Sequence, residues 1–201
     1  MRKDEIFFRE KITKLFQDKN QIIDIGGGLK IDPSRNNRGI KNPWAVELAK
    51  NKDYKILDKV PDYHPDIVGD VHNLPFSDNS IEAILCLDVL EHVEEPQKAA
   101  KEMHRVLKKG GYCYVKIPFI FYYHPEKGYY QDFYRFTREG LEYILRDFSQ
   151  VEIVNERGAL STVMNLIPIF TKKTRIFEFI DKSFGKDRSE QTSGYHAFCI
   201  K

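Results

Sequence analysis

Residues 21–29, Gln21-Ile22-Ile23-Asp24-Ile25-Gly26-Gly27-Gly28-Leu29, hold the stretch QIIDIGGGL, on which the fold of the whole chain turns. Apolar Ile22, Ile23 and Ile25 around Asp24 read as a buried strand, and three consecutive glycines end it in a tight turn. Glycine accepts positive φ and carries no Cβ, so a bound molecule can approach the main chain closely there. The Asp24 carboxylate can accept hydrogen bonds or attract a cationic group. A dinucleotide fingerprint requires G-x-G-x-x-G, yet the sixth position counted from Gly26 is Ile31, followed by Asp32 and Pro33 instead of an opening helix. A pyrophosphate site therefore fits poorly. What remains is D-x-G-x-G at Asp24, Gly26 and Gly28.

Length and composition bound the function. The 201 residues suffice for one domain, 1–201, with a proper core and no need of disulfides or structural metal. Lys plus Arg is 32 against 30 for Asp plus Glu, a formal net charge of +2, so no global charge draws the chain to nucleic acid. Cys86, Cys113 and Cys199 stand far apart in apolar, strand-like surroundings, which predicts reduced core thiols and a cytoplasmic protein. The opening MRKDEIFFREKITKLF lacks the apolar stretch of a secretory signal, and no run is long enough to cross a bilayer.

Working outward from the glycines, Ile6, Phe7, Ile12, Leu15 and Phe16 recur at helical spacing and predict an amphipathic helix over 4–17. Residues 29–41 form a basic loop containing Lys30, Arg35, Asn36, Asn37, Arg38 and Lys41, before Asn42 caps a short helix with Pro43 at its first position and Trp44 turned inward. Residues 54–57 make a second strand ending at Asp58, and 66–70 a third ending at Asp70. Residues 81–87 form a nearly continuous apolar strand of the kind covered by helices on both faces. A helix over 95–107 is expected to stop at Lys108-Lys109-Gly110-Gly111 with a glycine C-cap. Strands at 112–118, 151–154 and 194–200, and a helix from the N-cap Thr137 to about 148, complete the order.

Four blocks now agree: D-x-G-x-G at 24–28, GDVHNLPFSDNSIEAILC at 69–86, DVLEH at 88–92 and RVLKKGGYCYVKIPF at 105–119. Together they span residues 21–119 and resemble class I S-adenosylmethionine-dependent methyltransferases. The resemblance implies an α/β fold, three-layer and Rossmann-like, with a seven-stranded mostly parallel sheet whose last strand is antiparallel. It implies S-adenosylmethionine as cofactor and S-adenosylhomocysteine as product. Asp24, Gly26, Gly27 and Gly28 then form the cofactor turn, Asp58 holds the ribose, and Asp70, Val71 and His72 lie at the adenine. Leu87 and Asp88 lie near the methionine end, with His92 close to the active cavity. Asp58 follows Gly28 by 30 residues, against a usual spacing of about 20, and the basic loop accounts for the excess.

Residues 119–136, FIFYYHPEKGYYQDFYRF, hold nine aromatics in eighteen positions, poor helix or strand material that reads as an acceptor lid over the sheet's carboxyl edge. A hydrophobic cluster beneath a long loop is the plainer alternative. Aromatic faces among polar groups suit a sugar ring or a planar phenol, and Tyr122, Tyr123, Tyr130, Tyr134 and Arg135 are the candidate substrate contacts, Arg135 doubling as a candidate tether. The pattern H-P-x-x-x-x-Y-x-D-F-Y-R-F-T-x-x-G-L from His124 to Leu141 resembles a methyltransferase subgroup found among bacterial surface-glycan genes, which implies a small-molecule or glycan acceptor. A sugar hydroxyl must lose its proton during attack, and His124 is the first candidate base, with His92 and Asp132 behind it. No clustered ligand set argues for a metal. Residues 159–188 mix apolar and basic residues around Pro168 and read as a helical cap or homodimer contact; the alternative is peripheral contact with the inner membrane surface. Two other functions share these features: a non-catalytic S-adenosylmethionine-binding subunit or regulator, and, less well, a nicotinamide enzyme.

Overall fold

The computed structural model describes residues 1–31 and 40–201, with backbone alone at 171–174 and 188. Arg35, Asn36, Asn37 and Arg38 of the basic loop, and the side chains of Lys172 and Lys173, lie outside the described residues.

Helix α1 (Lys3–Asp18) precedes β1 (Gln21–Ile25), and it buries Phe7, Ile12, Leu15 and Phe16 while Ile6 is left exposed. Then come α2 (Pro43–Ala49), β2 (Asp53–Asp58), β3 (Ile67–Val68), β4 (Ile81–Leu87), α3 (Pro96–Val106) and β5 (Leu107–Pro118). The chain closes with α4 (Arg138–Ile144), β6 (Gln150–Asn155), α5 (Ala159–Asn165), α6 (Thr174–Ser183) and β7 (Gly194–Ile200). The seven strands lie in the order β3-β2-β1-β4-β5-β7-β6, all parallel except β7, which runs antiparallel between β5 and β6. This is the expected architecture.

Period-two alternation explains the layers. Ile22, Leu85, Tyr114 and Phe198 face α1 and α2, while Ile23, Ile25, Ile84, Val115 and Ala197 face the core shared with α3 and α4. Central strands buried on both faces need apolar residues at both parities, and QIIDI and IEAILCL supply them. From β1 the chain winds outward through β2 to β3; β4 then returns to the other side of β1. The strand order reverses at the β1/β4 boundary, so a crevice opens above the carboxyl ends of those two strands.

Three expectations change in detail. The third strand is only two residues long, because the Asp66 carboxylate accepts from the Ile56 N–H at 2.8 Å and so takes the place of a backbone pairing. Asn42 does not cap α2 with its side chain; it donates to Leu29 O at 2.7 Å and accepts from the Trp44 indole at 3.2 Å, stapling the helix to the glycine turn. Lys108-Lys109-Gly110-Gly111 is not a helix C-cap. Helix α3 ends one residue earlier, since Leu107 is fully buried opposite Ile81, and the glycines instead pair with the chain end through Gly110 N–H to Lys201 O and Lys201 N–H to Gly111 O. Gly110, at φ +72°, makes that bend.

Thr137 caps α4 as expected, accepting from Gly140 N–H at 3.1 Å. Pro168 separates α5 from α6, and the segment they form leaves Ile169, Ile176, Phe179 and Phe184 exposed. Cys86, Cys113 and Cys199 are buried free thiols. Among the described residues no helix is long and apolar enough to cross a membrane.

Candidate active site

A cavity of ≈ 1380 Å³ opens above the carboxyl ends of β1, β2, β4 and β5. Its floor begins at the glycine turn. Gly26 and Gly27 adopt φ of +75° and +60°, and the Gly26 N–H reaches across to Leu57 O at 2.7 Å. A Cβ on Gly26 would lie 2.7 Å from Val89 Cγ2, and one on Gly28 would lie 2.5 Å from Leu87 Cβ and 2.6 Å from Leu87 O. The turn therefore threads between the ends of β2 and β4 only with glycine. Asp24, wholly buried, holds it from behind by accepting from Gly28 N–H at 3.1 Å, Leu29 N–H at 3.0 Å and the Tyr54 hydroxyl at 2.5 Å. Of the predicted turn residues, Gly26 and Gly28 line the cavity, whereas Asp24 and Gly27 build the turn without lining it.

Acidic residues ring one end. Asp58, at the end of β2, lines the cavity and accepts from Val60 N–H at 3.0 Å, which orients its carboxylate at the strand exit. Asp70 accepts from the His72 N–H at 2.9 Å and lies 2.7 Å from His72 Nδ1. Its burial is outweighed by those bonds, and its pKa falls below the ordinary value. Val71 and His72 line the same wall. Leu87 and Asp88 lie at the exit of β4, where Asp88, at φ +56°, pairs with Lys116 of β5 at 2.9 Å. Lys116 also feels Glu156; the two carboxylates outweigh its burial and raise its pKa.

The aromatic-rich loop lines the other end. Residues 119–136 form the expected loop, tied down by the N–H groups of Phe133 and Tyr134, both donating to Glu91 O, at 2.8 and 3.2 Å. The Tyr122 hydroxyl donates to Asn165 O of α5 at 2.5 Å, and the Tyr129 ring packs at a tilt against Tyr63 at 5.2 Å, both rings lining the cavity. Tyr122, Tyr123 and Tyr130 line the cavity, Tyr123 being 76% exposed. Tyr134 and Arg135 do not line it: the Tyr134 hydroxyl donates to Glu94 O at 2.9 Å, and Arg135 clamps Asp132 at 2.6 and 2.7 Å while donating to the carbonyls of Tyr122 and Tyr134. Held by Arg135, Asp132 has its pKa lowered to about 2, and it accepts from His124 N–H at 2.8 Å.

His92 and His124 meet across the cavity, their rings 4.9 Å apart, and Tyr130 packs on His92 at 4.5 Å. The residue that joins them is Glu91, wholly buried, whose Oε1 lies 3.7 Å from His92 Nε2 and 3.8 Å from His124 Nε2. Burial raises the pKa of the Glu91 carboxyl, and the facing Glu91 carboxylate raises that of His124. Glu91 stood within the DVLEH block without a role of its own, and its place between two histidines from separate segments has no signature in the spacing of a single segment.

Residues 23–115 match the family described as Methyltransferase domain. An uncharacterised protein of Methanocaldococcus jannaschii is 29% identical over 118 residues, which make up 57% of this chain and 49% of the relative. A demethylmenaquinone methyltransferase of Renibacterium salmoninarum is 39% identical over 80 residues, 40% of this chain and 30% of that protein. The chain thus spans half or less of the length of these two relatives. A SAM-dependent methyltransferase from Archaeoglobus fulgidus superposes with a TM-score of 0.61 at 13% identity, over 96% of this chain and 90% of that one. The chain therefore has the methyltransferase fold, and its residues 23–115, from the first strand into the fifth, match the methyltransferase domain family.

Proposed function

We propose that the protein is an S-adenosylmethionine-dependent methyltransferase that acts on a hydroxyl of a small molecule or glycan. The observation that carries this is one continuous cavity with two chemically different ends: a glycine turn with Asp58 and the Asp70–His72 wall at one, an aromatic lid with Glu91, His92 and His124 at the other. The first end fits S-adenosylmethionine, because Gly26 and Gly28 bring bare backbone to the cavity wall in a turn where a Cβ at either position would collide with Val89 or Leu87, and Asp58 offers a carboxylate at the strand exit for ribose hydroxyls. When bound there, S-adenosylmethionine supplies an electrophilic methyl group and is left as S-adenosylhomocysteine.

The chain's own residues do the rest. Tyr122, Tyr123 and Tyr130 offer ring faces and hydroxyls to a polyhydroxylated acceptor, and the lid excludes water, so alignment supplies much of the barrier reduction. Asp132 and Arg135 serve the lid as a brace that holds His124 in place. The Glu91–His92–His124 group faces the acceptor end and handles the proton that the hydroxyl must lose. Buried free thiols support a reducing, cytoplasmic setting.

The test is methyl transfer measured by mass spectrometry with nucleotide sugars, free sugars, phenols and amines as separate acceptor pools. S-adenosylhomocysteine and a methylated product are expected from hydroxyl pools, with Tyr130→Ala raising the acceptor KM several-fold at little change in cofactor affinity. Turnover confined to amines would overturn the hydroxyl assignment. Cofactor binding without turnover on any pool would leave a non-catalytic binding subunit.

A further inference from the structure

We propose that Glu91, His92 and His124 bind a divalent transition-metal ion at the acceptor end of the cavity. The Glu91 side chain is 0% exposed, yet neither Oε1 nor Oε2 has a hydrogen-bond partner among the described residues. A buried ionised carboxylate without partners is costly, and buried polar groups are ordinarily satisfied. The groups that face it are the Nε2 atoms of His92 and His124, at 3.7 and 3.8 Å, too far for hydrogen bonds. One ligand atom from each of the three residues lies within 4.8 Å of the other two.

The outer nitrogens decide what those Nε2 atoms carry. His92 Nδ1 lies 2.7 Å from Gln131 O, and His124 Nδ1 lies 2.9 Å from Tyr122 O and 3.3 Å from Asp132 Oδ2. A backbone carbonyl can only accept, so each neutral ring keeps its proton on Nδ1 and turns an Nε2 lone pair toward Glu91. Arg135 Nη2 also lies 3.2 Å from His124 Nδ1, but it has acceptors of its own in Asp132 and Tyr122 O. With both rings neutral and Glu91 ionised, three lone-pair donors converge. Histidines whose far nitrogen is fixed by a carbonyl or carboxylate are the usual arrangement of metal ligands.

Distance and chemistry narrow the ion. Ligands about 2.0–2.1 Å from a tetrahedral centre sit roughly 3.4 Å apart, so small side-chain rotations would close the observed gaps. Two imidazoles and one carboxylate suit zinc, cobalt, iron or manganese rather than calcium or magnesium, which prefer all-oxygen shells. Three protein ligands leave a coordination position open, and all three side chains line the cavity. An acceptor hydroxyl placed there would lose its proton to water more readily, since its lone pair is shared with the cation. That use of the metal rests on the proposed methyl transfer; metal binding itself does not.

The experiment is titration of chelator-stripped, folded protein with Zn²⁺ and Co²⁺, without S-adenosylmethionine, read by calorimetry and by the visible absorption of the cobalt form. One equivalent is expected to bind and to give the ligand-field bands of a low-symmetry nitrogen and oxygen site. Glu91→Gln and His124→Ala should each weaken binding at least about tenfold. His124 sits on the lid, away from the sheet core, so its variant keeps the test alive if the Glu91 variant fails to fold. Failure of the folded wild type to bind either ion, or binding unchanged in both variants, would overturn the proposal.

Discussion

Glu82 shows how much one side chain can settle at the residue scale. Its carboxylate, on β4, accepts from the N–H groups of Asn20 and Gln21 at 2.9 and 3.2 Å and pairs with Lys108 at 3.0 Å, which pins the start of β1 to β4. Those bonds, the Asn20 N–H first, lower its pKa to about 2 from an ordinary 4.5. The folded state therefore favours the charged form, so the stabilisation is complete above pH 4.5 and is lost as pH falls toward 2. Glu82→Gln should cost about 1–2 kcal/mol at pH 7, and the gap from wild type in urea unfolding should narrow below pH 4.5; a gap constant with pH would contradict this. In the sequence Glu82 was only an interruption in an apolar strand. Asp58 stood out because a carboxylate at the exit of a parallel strand has a standard use, and it lines the cavity, whereas Asp24 lies within β1 and holds the glycine turn from behind. Glu91 did not, because what marks it is burial and carboxylate oxygens without partners among the described residues, which emerge only when the 119–136 loop packs against it.

At the scale of elements, the strands and helices followed the apolar periodicity closely, and the errors fell where side chains or chain ends took over backbone bonds. Gly110-Gly111 resembles a helix stop in sequence, but the partner that makes it part of β5 is Lys201, at the far end of the chain. The cap shows the same dependence. Helix α5 begins after Gly158, which offers no side chain, and its first N–H groups are met by Asp181 of α6, which accepts from Leu160 and Ser161 at 2.8 Å each. A Cβ on Gly158 would lie 2.6 Å from that carboxylate, so glycine and aspartate are matched. Asp181→Ala should loosen the cap, at a cost of about 1–3 kcal/mol, and speed amide exchange in 159–183 ahead of the sheet. Exchange unchanged in that segment would show that the cap does not depend on Asp181.

Across the whole molecule, the strand order reverses between β1 and β4, and that reversal places the glycine turn, Asp58, Asp88 and the aromatic-rich loop around one cavity. The half of that cavity built from strand ends could be read from local motifs. The other half, which we assign to the acceptor, was visible in sequence only as an aromatic-rich segment, because its geometry depends on long-range ties such as Tyr122 to Asn165 and Tyr129 to Tyr63. In the proposed function the strand-end half is built for S-adenosylmethionine. Isothermal titration of the folded protein with S-adenosylmethionine, with NAD(H), and with S-adenosylmethionine against Asp58→Ala tests it most directly. Selective binding of S-adenosylmethionine, weakened about 10- to 100-fold in the variant, is the predicted result. Binding of NAD(H) instead, or of neither ligand with or without candidate acceptors present, would contradict it.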